Sequence, residues 1–133
     1  MLKVEHIGIA VKDLNVSNAV FEKLLGTKPY KTEKVESEGV VTSFFKAGET
    51  KIELLESASE SNAIKKFLEK RGEGLHHIAF EVADIYNEKQ RLESLGFAVL
   101  NEPKPGADNK LVCFLHPKSI NGVLIEICQE IKK

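Results

Sequence analysis

The chain has 133 residues, of which 42% are hydrophobic and 29% are charged. This composition is typical of one globular domain and excludes a disordered or collagen-like protein. The formal net charge of -1 favours neither nucleic acid nor an anionic membrane as a partner. No apolar run approaches the ~18 residues of a spanning helix, and the N-terminus lacks the pattern of a secretion signal. We therefore expect a cytoplasmic protein that acts on a small molecule.

The two cysteines, Cys113 and Cys128, each have apolar neighbours, and they form no CxxC motif. Two thiols are too few for a disulfide framework, so we expect both to be reduced core residues. The sequence also lacks a glycine-rich loop that follows a strand, which argues against nucleotide binding of the Rossmann type.

The first half of the sequence resembles the second half at a spacing of about 71 residues. A histidine, an aspartate, a Leu-Gly pair and a glutamate recur in the same order, which favours a true internal repeat over a chance likeness of two amphipathic segments. The matching stretches are His6–Leu14 with His77–Ile85, Leu25-Gly26 with Leu95-Gly96, and Ile52–Leu54 with Ile125–Ile127.

Each copy begins with an alternating strand, continues with a helix and ends in β-rich sequence. Asp13 or Asn15 is a candidate N-cap for the first helix, with an apolar stripe at Val16, Val20 and Leu24. In the second copy, Asp84 would cap a helix that contains Leu92 and Leu95. The predicted strands are Val4–Val11, Val40–Phe45 and Ile52–Leu55 in the first copy, and His77–Val82, Val112–Leu115 and Val123–Cys128 in the second.

We therefore predict an α+β fold made of two tandem βαβββ modules, at about residues 1–57 and 74–130, within a single domain that covers 1–133. A connector helix at about 59–72 would start at Ser59 or Ser61 and end at Gly72.

The candidate site follows from what the repeat duplicates. Isoleucine and leucine flank Glu53, and two isoleucines flank Glu126, so each carboxylate points away from neighbours that belong in a core. Burying a carboxylate beside a histidine twice is costly unless a cation or hydrogen bonds compensate the charge. Two imidazoles and two carboxylates form a reasonable divalent-metal site, so we predict His6, Glu53, His77 and Glu126 as metal ligands.

These modules and ligands resemble the vicinal oxygen chelate superfamily, and the resemblance covers the whole chain. In that superfamily each module supplies two ligands to one metal within a cup-shaped mixed sheet. Four segments look more narrowly like the methylmalonyl-CoA epimerase family, the second-half segments being the most specific. They are Val4–Val11, Thr50–Glu56, Gly74–Val82, and Phe114–Lys118 with Gly122–Glu126.

The resemblance implies an isomerase that interconverts the 2R and 2S epimers of methylmalonyl-CoA by removing and returning the C2 proton. It implies catalytic roles for Glu126, as both ligand and acid/base group, and for Glu53. The implied cofactor is a divalent ion, cobalt first, with zinc, nickel, manganese or magnesium as alternatives. The implied partners are methylmalonyl-CoA or a similar acyl-CoA and a second copy in a homodimer.

Two positions depart from some family members. Glu53 stands where some members have glutamine, which leaves the metal identity open. Thr42 falls in the stretch where some members have a glutamate proposed as the second base, and a threonine hydroxyl is too weak an acid for that role. Glu53, a bound water or Glu38 could provide the second base.

Three further segments are open to a functional interpretation. We expect His76 to pack rather than to ligate, because His77 is the residue that aligns with His6. The segment His116–Lys118 either only forms a turn or contacts the charged end of the substrate, in which case Lys118 would supply the positive charge. Lysines on the connector helix are most simply its solvated face, with coenzyme A contact as a lesser alternative.

Two other functions remain open. Lactoylglutathione lyase also uses a His/Glu/His/Glu set, but we expect a glyoxalase to carry an Asp-Pro-(Asp/Asn)-Gly turn before Glu126, whereas this chain has His116–Gly122 there. A metal-free binding module of the same architecture would usually have lost the ligands, and all four are present here.

Overall fold

The computed structural model describes residues 1–131, which form two compact units. The N-terminal unit is His6–His76, and the C-terminal unit consists of Met1–Glu5 together with the chain from His77 onward. Both contain the predicted βαβββ order, which confirms the α+β class. No helix among residues 1–131 is long and apolar enough to cross a membrane.

The N-terminal unit has four strands in the order β2-β3-β4-β1, with β1 parallel to β4 and the other neighbours antiparallel. Its core lies between this sheet and α1, where Val11, Leu14, Phe45 and Leu54 are buried together. The elements are β1 (Lys3–Ala10, which begins in the C-terminal unit), α1 (Leu14–Leu25), β2 (Lys31–Val35), a 3-10 turn (Glu36–Glu38), β3 (Val40–Ala47), β4 (Thr50–Ser57) and α2 (Ala63–Arg71).

The C-terminal unit repeats this arrangement in the order β5-β8-β7-β6, with β5 parallel to β8. Ile85 and Leu92 of α3 pack on one sheet face against Cys113, Leu115 and other apolar residues. The elements are β5 (Gly74–Glu81), α3 (Ile85–Ser94), β6 (Lys104–Pro105), a 3-10 turn (Ala107–Asn109), β7 (Lys110–Leu115), a 3-10 turn (Pro117–Ser119) and β8 (Ile125–Glu130).

Helix α1 begins and ends where the sequence predicts, but it buries a different stripe. The Asp13 carboxylate accepts a hydrogen bond from the Val16 amide, and Gly26 ends the helix with a left-handed φ of 73°. The predicted stripe of Val16, Val20 and Leu24 is 62%, 55% and 71% exposed. Phe21 and Leu25, one position further along and so about 100° around the helix, pack on the core instead, because the Phe21 ring offers more apolar surface than the Val20 side chain.

Helix α2 begins later than predicted. Asn62, rather than Ser59 or Ser61, is the N-cap, since its side-chain oxygen accepts from the Lys65 amide at 2.8 Å. The Asn62 amide group also donates to the Gly39 carbonyl at 3.1 Å. This bond spans 23 residues of sequence, which a local capping pattern does not contain.

The sequence did not locate the second strand of either module. Strand β2 alternates charged and polar residues along most of its length, and β6 has only two residues, one of them proline. Neither segment carries the apolar alternation by which a strand is recognised, so both are defined by pairing with β3 and β7.

Candidate active site

The N-terminal unit holds one buried histidine–glutamate pair. His6 lies on β1 and Glu53 on the parallel strand β4, and their Nδ1 and Oε2 atoms are 3.1 Å apart. Only 5% of His6 and 3% of Glu53 is exposed. The flanking Ile52 and Leu54 point into the core beneath α1, which directs the Glu53 carboxylate to the opposite sheet face.

The C-terminal unit holds the second pair. His77 on β5 and Glu126 on β8 place their Nε2 and Oε1 atoms 3.3 Å apart, and both residues are buried. The Phe114 ring meets the His77 ring edge-on, with centroids 5.8 Å apart, and it restricts the imidazole on that side. The neighbours Ile125 and Ile127 pack with α3 on the other face.

The two pairs have the same register. Gly8 lies opposite Glu53, and Ala79 lies opposite Glu126, so in each unit the histidine is two residues before the position opposite the glutamate. Within each module, the imidazole and the carboxylate therefore point to the same face of that module's sheet. Imidazole nitrogens and carboxylate oxygens are suitable ligands for a borderline divalent cation. Such a cation would also compensate the charge of the buried carboxylates.

Thr42 lies on the sheet face that carries Glu53. Its neighbour in phase, Phe44, is the ladder partner of Glu53, and alternation places Thr42 on the same face. The side chain is fully buried, and its hydroxyl has no hydrogen-bond partner among residues 1–131. Glu38, which the sequence offered as a second base beside Glu53 and a bound water, lies in the 3-10 turn before β3 and is partly buried.

The other two histidines have structural contacts in this fold. The His76 ring packs edge-on against Phe67 of α2, with centroids 5.1 Å apart, as the packing prediction requires. His116 caps the turn after β7, because its Nδ1 accepts from the Lys118 amide at 3.0 Å. The segment His116–Lys118 therefore forms a turn, one of the two interpretations that the sequence allowed, and the substrate contact stays a prediction. Lys118 is exposed.

Sequence reasoning missed two residues on the sheet face that carries Glu126, one partly buried and one buried. Phe114, which contacts His77, is the ladder partner of Glu126, and Lys110 lies four residues earlier in the same phase of β7. The alternation of Lys110, Val112 and Phe114 was the available signal. A lysine at the start of a strand is ordinarily solvated. Only the 6% exposure of Lys110 in the folded structure distinguishes it from such a lysine.

Comparison with known proteins identifies the family. Residues 5–114 match the model of the Glyoxalase/Bleomycin resistance protein/Dioxygenase superfamily. An ethylmalonyl-CoA/methylmalonyl-CoA epimerase from Cereibacter sphaeroides is 42% identical over 130 residues, which is 96% of this chain and 97% of that protein. The chain belongs to the methylmalonyl-CoA epimerase family.

Solved structures of the family agree with this assignment. Streptomyces coelicolor methylmalonyl-CoA epimerase in complex with 2-nitronate-propionyl-CoA has a TM-score of 0.95 and 34% identity, with 99% of each chain covered. The Mycobacterium tuberculosis methylmalonyl-CoA epimerase has a TM-score of 0.92 and 32% identity, covering 97% of this chain and 88% of that one. Because these matches span nearly the whole chain, the family fold applies to both modules.

Proposed function

We propose that this protein is a methylmalonyl-CoA epimerase, which removes the proton at C2 of the acyl group and returns it on the other face. The observation that carries the proposal is the duplicated buried pair, His6 with Glu53 and His77 with Glu126, in a chain of the epimerase family. The family's named relatives support the epimerase over lactoylglutathione lyase, the alternative raised by the sequence.

We propose that the four side chains of these pairs hold one divalent cation, with cobalt as the first expectation. The donor set supports this, since two imidazoles and two carboxylates leave open positions on a six-coordinate ion. Such a cation supplies Lewis-acid stabilisation of the negative charge that develops when the C2 proton leaves. Metal analysis of the purified protein by mass spectrometry, with Co²⁺, Zn²⁺, Ni²⁺, Mn²⁺ and Mg²⁺ compared in reconstitution, tests the identity of the ion.

Glu126 and Glu53 are the proposed proton-transfer residues. Glu126 is held by β8 on a face lined by His77 and Phe114, where burial excludes bulk water from its carboxylate. Glu53 occupies the equivalent register in the other module. A carboxylate in each module offers one acid/base group for each face of C2, which is what inversion requires.

The first experiment follows the C2 proton of methylmalonyl-CoA by proton NMR in deuterated water with metal-loaded enzyme. We expect catalysed loss of this signal, and no thioester formation from the hemithioacetal of methylglyoxal and glutathione. Thioester formation without exchange would assign the protein to the glyoxalase class. If the protein takes up no metal and catalyses neither reaction, it would belong to the metal-free binding modules.

Matched variants separate the two carboxylates. Glu126→Gln removes one acid/base group and is expected to abolish epimerisation. Glu53→Gln introduces the residue that some family members have, so it is expected to retain metal. If Glu53 is the second base, Glu53→Gln exchanges the C2 proton of one epimer without inverting it; full epimerisation by this variant would contradict that role and leave the second face to another group.

We also propose that the protein works in the cytoplasm as a homodimer. The assignment rests on family resemblance. Light scattering coupled to size-exclusion chromatography of the metal-loaded protein measures the mass directly, and a monomeric mass at micromolar concentration would contradict the dimer.

A further inference from the structure

A group of lysines lies on the sheet face that carries Glu53 in the N-terminal unit. Ladder pairing sets Lys31 of β2 beside Phe44 of β3, and Phe44 beside Glu53 of β4, so these three residues share one face. Lys46, two residues after Phe44, is in the same phase, and its ladder partner is a second lysine, Lys51. Because neighbouring strands are about 5 Å apart, the Cα atom of Lys31 is about 10 Å from that of Glu53. The lysines therefore surround one side of the candidate active site.

This sheet face is closed at one end and open at the other. On one side of Glu53, the ladder pair of Thr42 and Leu55 is buried, with 0% and 7% exposure. On the other side, towards the hairpin between β3 and β4, Lys46 is exposed and Lys51 is half-buried. A coenzyme A thioester whose acyl group lies at Glu53 therefore leaves the face past the lysines, because its long arm does not fit among close-packed side chains.

Two aromatic rings hold lysine side chains in place at the open end. The Lys31 Nζ atom lies 4.9 Å from the centroid of the Phe44 ring, and the Lys46 Nζ atom lies 5.3 Å from that of the Tyr30 ring. The two rings pack on each other with centroids 5.8 Å apart. A cation is attracted to the face of an aromatic ring within about 6 Å. These contacts restrict two flexible side chains before a ligand arrives, which lowers the entropy cost of binding.

The positive charge of these lysines is poorly compensated. Among residues 1–131, no carboxylate forms an ion pair with the Lys46 ammonium. Lys31 pairs with Glu33 at 3.3 Å, but both side chains are more than a third exposed, and such surface pairs contribute little. Like charges directly opposite each other on antiparallel strands, as Lys46 and Lys51 are, destabilise the sheet. An anion bound here would relieve this repulsion.

We propose that Lys31 and Lys46 bind phosphate groups of the coenzyme A part of the substrate. This inference deepens the proposed function and rests on it. A phosphate suits the site better than the acyl carboxylate, because the lysines lie at the open end of the face, whereas the carboxylate is one bond from C2 and stays near Glu53. Each ammonium has three N–H donors, so it can bond to a phosphate while it contacts a ring. The role is binding, so neither lysine takes part in proton transfer.

The test measures ligand binding by calorimetry on the metal-loaded protein. Methylmalonyl-CoA is compared with methylmalonyl-pantetheine, which carries the same acyl thioester and no phosphate. Both are used as equilibrium mixtures of the epimers, so turnover adds no heat. We expect Lys31→Gln combined with Lys46→Gln to weaken methylmalonyl-CoA binding by about 10-fold, a small loss for two charged hydrogen bonds because both side chains are partly in solvent. Binding of methylmalonyl-pantetheine should change less than about twofold, because it brings no phosphate to the lysines.

Matched variants separate this site from other surface lysines. Lys34→Gln removes a charge from the same strand as Lys31 but on the opposite sheet face, where the side chain is 60% exposed, and it should bind as the wild type does. Lys31→Arg combined with Lys46→Arg keeps both charges and should retain most of the affinity. Higher ionic strength should weaken methylmalonyl-CoA binding more in the wild type than in the double glutamine variant.

The remaining outcomes decide against the inference or separate it from the proposed function. Equal weakening of both ligands by the double glutamine variant would show that the lysines support the fold and bind no phosphate. Unchanged binding of methylmalonyl-CoA would also overturn the inference, and a loss in Lys65→Gln instead would place the phosphates at α2. A wild type that binds methylmalonyl-CoA through Lys31 and Lys46 but does not exchange its C2 proton would refute the epimerase and leave this inference standing.

Discussion

Replacing Thr42 by valine should stabilise the protein. The Thr42 side chain is fully buried on β3, and its hydroxyl has no hydrogen-bond partner among residues 1–131. A buried hydroxyl without a partner costs about 1–3 kcal/mol relative to an apolar group of the same shape. Valine has nearly the same shape and β-branching as threonine, so Thr42→Val should recover most of that cost.

The expected gain is measurable. For a chain of 133 residues, the entropy of unfolding per residue converts 1 kcal/mol into about 4 °C of melting temperature. Thr42→Val should therefore raise the melting temperature by about 4 °C or more. Thr42→Ser is the matched control, since it keeps the hydroxyl, loses the buried methyl group and should melt lower than wild type.

Activity decides whether the hydroxyl serves the reaction. A threonine hydroxyl is too weak an acid to lose its proton at neutral pH, so it cannot act as a general base. Thr42→Val should therefore keep more than about a hundredth of wild-type epimerisation activity. Lower stability of Thr42→Val in urea and thermal unfolding would show that the hydroxyl is satisfied in the folded protein. A folded variant below a hundredth of wild-type activity would show that the hydroxyl contacts the substrate.

Two further predictions concern thiols and capping. Burial raises the pKa of Cys113 to about 11 and also raises the pKa of Cys128, so neither thiol should react with a disulfide reagent at pH 8 until the protein unfolds; stoichiometric labelling of the native protein would contradict this. The Asp84 carboxylate accepts from the amides of Tyr86 and Asn87, so Asp84→Ala should lower the unfolding free energy by about 1 kcal/mol in urea titration, whereas Asp84→Asn should lose little; equal stability of both variants would argue against the cap.

The internal repeat could be recognised from sequence because its signals are local. Apolar neighbours on both sides fix the face to which Glu53 and Glu126 point, since alternation along a strand has a period of two. The cap at Asp84 was likewise predictable, and Asp13 was one of two candidates, because a cap bonds to amides two or three residues away. These signals gave the two modules, their order and the four candidate ligands.

Other features depended on contacts between residues far apart in sequence. Helix α1 offers two adjacent apolar stripes, and packing against Phe45 selected the one with Phe21. Asn62 begins α2 because it also bonds to Gly39. Lys110 is buried although its own strand carries no signal for it, since the sheet face that it shares is formed together with β8. Periodicity defines which residues share a face, but only the tertiary structure determines what covers that face.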